Sequence, residues 1–570
     1  MKDNIFVPPK EKVKIFDFSH LKGDFFGGLT AGIVALPLGL AFGAGVFPHD
    51  EQLGATAGLW GAIIVGFFAA AFGGTNTQIS GPTGPMVVVF AGLLASLTAS
   101  LGLSNPGASE VDIIKMAIPL LFAAVVLGGV LQIAMGLLKM GKYIKLVPYT
   151  VISGFMSGIG VIIILLQASR LFGGKPASGE VFDAIAAIGP SIANMNVTAL
   201  ILGALTLAIV FFWPKAIAKY LPGTLAALII GTLVGLVMPG APELGTIQAG
   251  IPEFLVPTFS GDTIFLVLMA GGTLAILGAI DSLLTSLVAD NVTRTRHNSD
   301  QELIGQGIAN TIAGFFAALP GAGATMRTMV NVRTGGVTKI SGMIHGLVLV
   351  AIVLVAAPLA AKIPMAVLAG ILVKVGFDII DFKYIKTALK GPRWDFLIMA
   401  TVLILTVFWN LIFAVGIGVF MAALGYVKLN ADEQTQTVNQ YIPTGTNAEE
   451  KALLEGADGK VMLYDFGGPL SFGAAADLGH HIRQRVKAGV DAIVLDFSRM
   501  TFIDVSAARA VETIAMDAKD DGKAVYAVGM NDSVIAKLKG LGIYDTLSDV
   551  KVHDTRIGAL KAASTSLASA

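Results

Sequence analysis

The chain has 570 residues, of which 54% are hydrophobic and only 14% charged, and its mean hydropathy is +0.76. Soluble domains carry nearer a quarter of charged residues, so this composition marks a membrane protein with a smaller soluble part. A formal net charge of zero argues against a nucleic-acid binder, and the absence of cysteine excludes zinc–thiolate, iron–sulfur and disulfide chemistry.

Residues 1–24 form a polar, lysine-rich N-terminal segment that leads directly into an apolar run, 25–47. That run is too long for the apolar core of a signal peptide and no A-x-A-like site closes it, so it is expected to remain as the first span. Further spans are expected near 54–72, 84–103, 114–138, 146–170, 195–214 and 222–239. A second set lies near 263–290, 302–319, 325–333, 337–359, 364–380, 395–409 and 411–428. Two members are irregular. The stretch NTQISGPTGPMVVVF (76–90) and the stretch 319–333, which opens LPGAGATMRT, place prolines and glycines at the head of a span and read as broken half-helices.

Lysines and arginines before the first span and in KMGKYIK (139–145), PKAIAKY (214–220), TRTRH (293–297) and KGPR (390–393) follow even-numbered spans. The positive-inside rule then gives fourteen spans over 25–430 with both termini cytoplasmic. Residues 431–459 are polar and charged, a linker by composition. Beyond it, KVMLYDFGG, DAIVLDFS and KAVYAVGM are strand candidates separated by helix-like runs such as SAARAVETIAMDAKDD (506–521), so 460–570 is expected to be a small cytoplasmic α/β domain.

The two broken segments lie about 242 residues apart, Thr83 against Thr325, and GGLTAGIVALPLGLA (27–41) aligns with GGTLAILGAIDSLLT (271–285). Seven spans per half is odd, so the second half must be inverted. Inverted repeats with discontinuous helices at matching positions describe a secondary transporter whose site lies at the midplane. Half-helix N-termini present unpaired N–H groups and the positive dipole end, an anion site built from backbone. GPTGP (81–85) and PGAGATMR (320–327) suit that role, and Arg327 would add a full positive charge.

Asp281 is the other expensive residue, alone in ILGAIDSLLTSLV. A carboxylate at that depth costs about 2.5–3.5 kcal/mol on insertion scales. Thr285 shares its helix face, and together with the carbonyls of a broken helix the two form a hard oxygen set suited to Na⁺. A proton-carrying carboxylate and a structural ion pair with Arg327 are the other two readings. Asp290 and Arg294 are spaced as an ordinary i,i+4 pair, Ser299 and Glu302 as a capping box, and His345 as a residue packed between helices. The histidines are scattered apart from His480–His481, so no metal cluster is visible, and no catalytic triad or phosphate loop suggests an enzyme.

QISGPTGPM (78–86), VPYTVISGFMSGIG (147–160), DSLLTSLVADNVTRTRHNSDQELIGQG (281–307) and GAGATM (321–326) resemble the SulP (SLC26-type) anion transporters over essentially the whole chain, and LDFSRMTFIDVSAARAV (495–511) resembles the STAS signature. The resemblance implies an α-helical polytopic membrane protein with a seven-plus-seven inverted repeat, core and gate domains, an elevator-like motion, a C-terminal STAS domain and a homodimer in the bacterial inner membrane. Around Asp281 and Thr325 it is strongest to the sodium-dependent bicarbonate carriers of that family. This implies Na⁺, as the coupling ion, at Asp281, Thr285, the Gly323 and Ala324 backbone and Thr325. It places the anion near Thr83, Gly84, Ala324, Thr325, Met326 and Arg327. An arginine at 327 suits a divalent anion, which keeps proton-coupled transport of sulfate or of dicarboxylates such as succinate and fumarate as the alternative. In STAS domains of another class the serine matching Ser506 is phosphorylated; here Ser506 is also a fitting N-cap for a helix 507–520.

Overall fold

The structure, a computed structural model, describes residues 18–47, 51–174, 181–218, 221–245, 252, 254–256, 264–409, 411–438, 446–466, 470, 489–544 and 550–568. Most of the N-terminal segment, the His480–His481 pair and 439–445 of the expected linker lie outside the described residues. The chain forms two compact units, Met1–Val419 and Phe420–Ala570.

The first half of the membrane unit holds α1 (Leu21–Val46), α2 (Glu51–Phe72), strand β1 (Ser80–Gly81), α3 (Gly84–Ser104), α4 (Glu110–Leu137), α5 (Tyr149–Leu171), α6 (Val181–Ala193), α7 (Val197–Phe212), α8 (Lys215–Ala218) and α9 (Gly223–Val237). The second half holds α10 (Ile264–Thr293), α11 (Ser299–Phe315), strand β2 (Ala322–Gly323), α12 (Thr325–Arg333), α13 (Lys339–Ala360), α14 (Met365–Ile379), α15 (Phe382–Ala388), α16 (Arg393–Phe408) and the start of α17 (Leu411–Val438), which continues into the second unit. Every one of the fourteen expected spans carries a helix, and among the described residues seven helices are long and apolar enough to cross a bilayer unaided. The helix α6 was not expected; it meets α7 at a bend of 118°.

Two sets of helices pack among themselves. One set contains α1 to α4 and α10 to α13; the other contains α5, α6, α7, α9, α14 and α16. The strands β1 and β2 pair antiparallel inside the first set, Ser80 opposite Gly323 and Gly81 opposite Ala322. Each strand feeds a helix, so α3 and α12 leave the crossing in opposite directions. This is the structural form of the inverted repeat.

The second unit is a parallel sheet ordered β3 (Val461–Asp465), β4 (Ala492–Asp496), β5 (Ala524–Val528) and β6 (Lys551–His553). The first three strands are the expected ones, whereas the short β6 has a sequence too brief to announce itself. Helices cover both faces, which explains the continuous apolar runs. On one face Tyr464, Ile493 and Leu495 pack with Val511 and Ile514 of α19 (Val505–Asp520) and Val534 and Leu538 of α20 (Asp532–Gly540). On the other, Val461, Leu463 and Val494 pack with Leu454 of α18 (Ala448–Gly456) and Leu560 of α21 (Arg556–Ala568).

Two expectations change here. The stretch 431–459 contains the end of α17 and the whole of α18, which is held by a capping box between Asn447 and Glu450 and packs into the sheet's core. Ser506 is not an N-cap: Asp504 takes that position and accepts from the Ala507 amide at 2.8 Å, and Ser506 sits exposed in the first turn. A carboxylate caps as well as a hydroxyl and also complements the dipole.

Candidate functional site

The crossing of β1 and β2 carries the site. Thr83 and Ala324 occupy the N-cap positions of α3 and α12, and neither helix has a side-chain cap. The Thr83 hydroxyl instead donates to Asp281 Oδ2 at 2.8 Å. The first-turn amides of Gly84 and Met86 on α3, and of Thr325, Met326 and Arg327 on α12, find no acceptor among the described residues. Such amides carry the positive end of the helix dipole and suit an anion.

Beside them lies the oxygen set. Thr285 donates to the Gly323 carbonyl at 2.9 Å and lies 2.8 Å from the Thr325 hydroxyl. Ser282, next to Asp281 on α10, accepts from the Gly323 amide at 3.1 Å. Asp281 and Thr285 are both buried, and the glycine at 323 is required because a Cβ there would come within 2.4 Å of Gln78 Nε2. Asp281 also borders a shallow cleft between α10 and the N-terminal half of α5, otherwise lined by apolar side chains such as Val151, Phe155 and Ile280.

Three site residues differ from expectation. The Ala324 amide is bonded to the Ile79 carbonyl at 2.8 Å, so the free amides begin one residue later. Met326 points its side chain outward, 65% exposed. Arg327 is buried, and its guanidinium donates to the Pro82 carbonyl at 2.6 Å. It lies so close to Gly81 (φ 151°) that a Cβ there would come within 2.7 Å of its Nη1. Arg327 therefore ties one crossing segment to the other, and no ion pair joins it to Asp281 among the described residues.

No local motif announced the network that supports this crossing. Glu302, expected to serve a capping box with Ser299, is buried and accepts from the Gly74 amide and Gln78 Nε2, both at 2.8 Å, and from Gln306 Nε2 at 2.9 Å. The true N-cap of α11 is Asn298. Gln306 donates on to Ser80 at 2.6 Å, Asn310 holds Gly321 by both its amide and its carbonyl, and Ser286 donates to Gln78 at 2.9 Å. Glu302, Gln306 and Asn310 recur every fourth residue, and that polar stripe on an apolar helix was the available signal. Asp290 pairs with His297 at 2.7 Å rather than with Arg294. His345 is fully buried between helices, with the Gly66 backbone against its ring.

Two inverted halves, opposed half-helices and a membrane-embedded carboxylate at their junction define a multi-pass membrane transporter. The family model for the sulfate permease family matches residues 21–402, and that for the STAS domain matches 454–557. The chain belongs to the sulfate permease family. It is 42% identical over 553 residues to the bicarbonate transporter BicA of Synechocystis sp., covering 95% of this chain and 94% of that one. It is 41% identical over 555 residues to BicA of Picosynechococcus sp.. The transmembrane domain of a cyanobacterium bicarbonate transporter BicA superposes with a TM-score of 0.64 at 46% identity, covering 70% of this chain and 98% of that one. SLC26A9 shares the fold at 18% identity, with a TM-score of 0.79 over 97% of this chain and 92% of that one. These relatives are transporters, not enzymes.

Proposed function

We propose that the protein imports bicarbonate by Na⁺ symport. The observation that carries this reading is the Thr83–Asp281 hydrogen bond, which joins the uncapped amide end of α3 to a buried carboxylate that forms no ion pair among the described residues. Na⁺ is held as co-substrate by Asp281, Thr285, Thr325 and the Gly323 and Ala324 backbone. A monovalent anion is held between the half-helix N-termini at Thr83, Gly84, Ala324, Thr325 and Met326. Each ion offsets the other's charge, so the loaded site moves across the membrane close to neutral. Arg327 acts on the anion through its field and through the Pro82 carbonyl it holds, rather than by direct contact. That role weakens the motive for a divalent substrate and for proton-coupled sulfate or dicarboxylate transport. The similarity to bicarbonate transporters over nearly the full length supports the same choice.

The two helix sets act as the moving and stationary parts of an elevator-like cycle in the bacterial inner membrane, with both termini cytoplasmic and the apolar faces in contact with lipid. The protein works as a homodimer, partly through its STAS domain, where exposed Ser506 is a candidate for regulatory phosphorylation. Uptake of labelled bicarbonate into proteoliposomes, with and without a Na⁺ gradient, tests the function. The reading predicts Na⁺-stimulated uptake that Asp281→Asn lowers by about 10- to 100-fold; uptake indifferent to Na⁺ would overturn it, and inhibition by sulfate or succinate stronger than by unlabelled bicarbonate would restore the alternative.

A further inference from the structure

The carbonyl of Ala44, two residues before the end of α1, cannot have its ordinary helical partner: the donor would be the amide of residue 48, which is a proline. Nor does α1 carry a basic residue in its last turn to meet the negative end of its dipole. Both needs are met from the other helix set. Arg170, buried in the last turn of α5, donates from Nη2 to the Ala44 carbonyl at 3.0 Å. A Cβ built on the adjacent Gly45 would lie 3.6 Å from Gln167 Nε2 on α5 and 3.8 Å from Leu372 Cδ1 on α14, so the end of α1 seats in ordinary contact against both. Nearer the middle of α5, Gly84 of α3 packs against Ile163, and against Ile379 of α14, with no room for a methyl group. The other half of α5 differs. Its polar bonds stay within its own set: Tyr149 and Ser153 donate to Asp381 Oδ2 at 2.7 and 3.0 Å, and Ser157 accepts from the Asp381 amide at 3.1 Å. Toward α10 it leaves the shallow apolar cleft that Asp281 borders. The helix α5 is thus closed against the first set along its C-terminal half and open beside Asp281 along its N-terminal half.

We propose that the Arg170–Ala44 hydrogen bond is a latch that holds the outer ends of the two helix sets together while the site faces inward, and that it opens in each transport cycle. The inference rests on the reading above that the two sets move against each other and that both termini are cytoplasmic, which puts the last turns of α1 and α5 at the outer face. When those ends part, water reaches the guanidinium and the carbonyl alike, so the bond is exchanged for hydration and no charge is stranded. The latch therefore biases the balance between the two states without blocking the passage between them.

The test exploits the absence of cysteine from the chain. In full-length protein, Ile163→Cys places a single thiol in the closed half of α5, and Ile152→Cys places one in the cleft at its open half. Each is labelled with a water-soluble maleimide, with and without a change at Arg170. Arg170→Ala is expected to raise the labelling rate at Ile163→Cys by about 10-fold or more, the shift in equilibrium expected for losing one hydrogen bond to a charged group. The rate at Ile152→Cys is expected to fall or stay level. Arg170→Lys keeps a charged donor and is expected to lie nearer the wild type. Ser153→Ala, which breaks a bond inside one set, is expected to change neither rate. An unchanged rate at Ile163→Cys in Arg170→Ala overturns the latch, and so does a rise at both thiols, which marks a loosened fold. If Arg170→Ala does not fold, Arg170→Met keeps the apolar bulk without the donor, and an unchanged rate there is equally a refutation. The underlying reading is tested separately by joining Gly45→Cys to Leu372→Cys with a short bifunctional thiol reagent, using whichever labelled anion the wild type carries. Transport that survives this cross-link shows that the sets do not part there; transport that stops leaves the reading standing and the labelling rates decide on the latch.

Discussion

Both units of this chain bury carboxylates, and they treat them in opposite ways. In the STAS domain Asp465 and Asp496 end the adjacent strands β3 and β4 and are completely buried. Arg556 contacts both, Arg499 grips Asp465 with Nε at 3.2 Å and Nη2 at 2.8 Å, and the Ser498 amide donates to Asp496. In the membrane unit Asp281 receives one hydroxyl. Glu302 and Asp24 lie between these extremes: Glu302 accepts three N–H donors, and Asp24 accepts the Val337 and Thr338 amides and the Thr338 hydroxyl. A buried charge that is fully paired belongs to the fold, because losing a partner strands the other charge. A buried charge left underpaired is unfavourable to the fold and is kept for a ligand that completes it.

The difference makes opposite forecasts for neutralising the two kinds of carboxylate or their partners. Arg556→Ala leaves two buried aspartates facing each other with, among the described residues, only the half-exposed Arg499 paired to one of them. It is expected to destabilise the STAS domain by about 3–5 kcal/mol. Hydrogen exchange on full-length protein, read at β3, β4 and α21, would register the loss locally. An unchanged exchange pattern would show that the cluster does not hold the domain. Burial works against the Arg556 charge, but the hydrogen bond to Asp496 and the fields of Asp496, Asp465 and Glu450 outweigh it and raise its pKa above the ordinary arginine value. Arg556 therefore stays charged across the physiological range, and its own contribution is expected to be flat in pH there.

Asp281→Asn is the mirror experiment. Asparagine can still accept from Thr83, and Arg327 keeps its bond to the Pro82 carbonyl, so thermal stability in detergent is expected to hold or rise slightly. Na⁺-stimulated uptake is expected to fall by about 10- to 100-fold, matching the roughly 1.5–3 kcal/mol of an interaction with a charged group. A variant that lost stability along with transport would place Asp281 among the structural carboxylates and break the contrast.

How much of this was legible in the sequence follows the same division. Asp281 and Thr285 stood out because a charge and a hydroxyl one turn apart are conspicuous in an apolar run, and the half-helices because glycine and proline interrupt such runs. Glu302 was misread because a local motif, Ser299 three residues before it, offered a sufficient explanation that long-range contacts override. Its partners Gly74 and Gln78 lie 228 and 224 positions away. The Asp465–Asp496–Arg556 cluster was invisible for the same reason, its members being 60 and 91 positions apart. The Ala324 amide looked free because nothing local reveals that Ile79 of the other repeat takes it. Periodicity and composition expose what a segment does alone; the pairing of two inverted repeats appears only once they meet.

Glu302→Gln sharpens the contrast at its midpoint. The substitution keeps one acceptor oxygen but turns the other into an NH₂ group facing either the Gly74 amide or both Gln78 Nε2 and Gln306 Nε2, so at least one buried donor loses its acceptor. The expected cost is about 1–3 kcal/mol of stability. Through Gln78, Ser286 and Gln306 the disturbance reaches β1 and the backbone at Ser80, so uptake is also expected to fall, with the Na⁺ and anion KM values rising together. A rise in the Na⁺ value alone would mean that Glu302 takes part in cation binding itself.

The smallest effect is expected at Arg499. Its side chain is 48% exposed and its carboxylate partner keeps Arg556 when it is removed. Water replaces the lost guanidinium on the open side, and an exposed pair of this kind is worth about 0–1 kcal/mol. Arg499→Ala should therefore leave exchange at β3 and β4 nearly as in the wild type, whereas Arg556→Ala should not. If the two variants were equally damaging, the Asp465–Asp496 pair would depend on total positive charge rather than on a buried partner. The distinction between carboxylates held by the fold and carboxylates held open for a ligand would then need to be drawn from local charge alone, and Asp281, with Arg327 turned to the Pro82 carbonyl, would still fall on the open side of it.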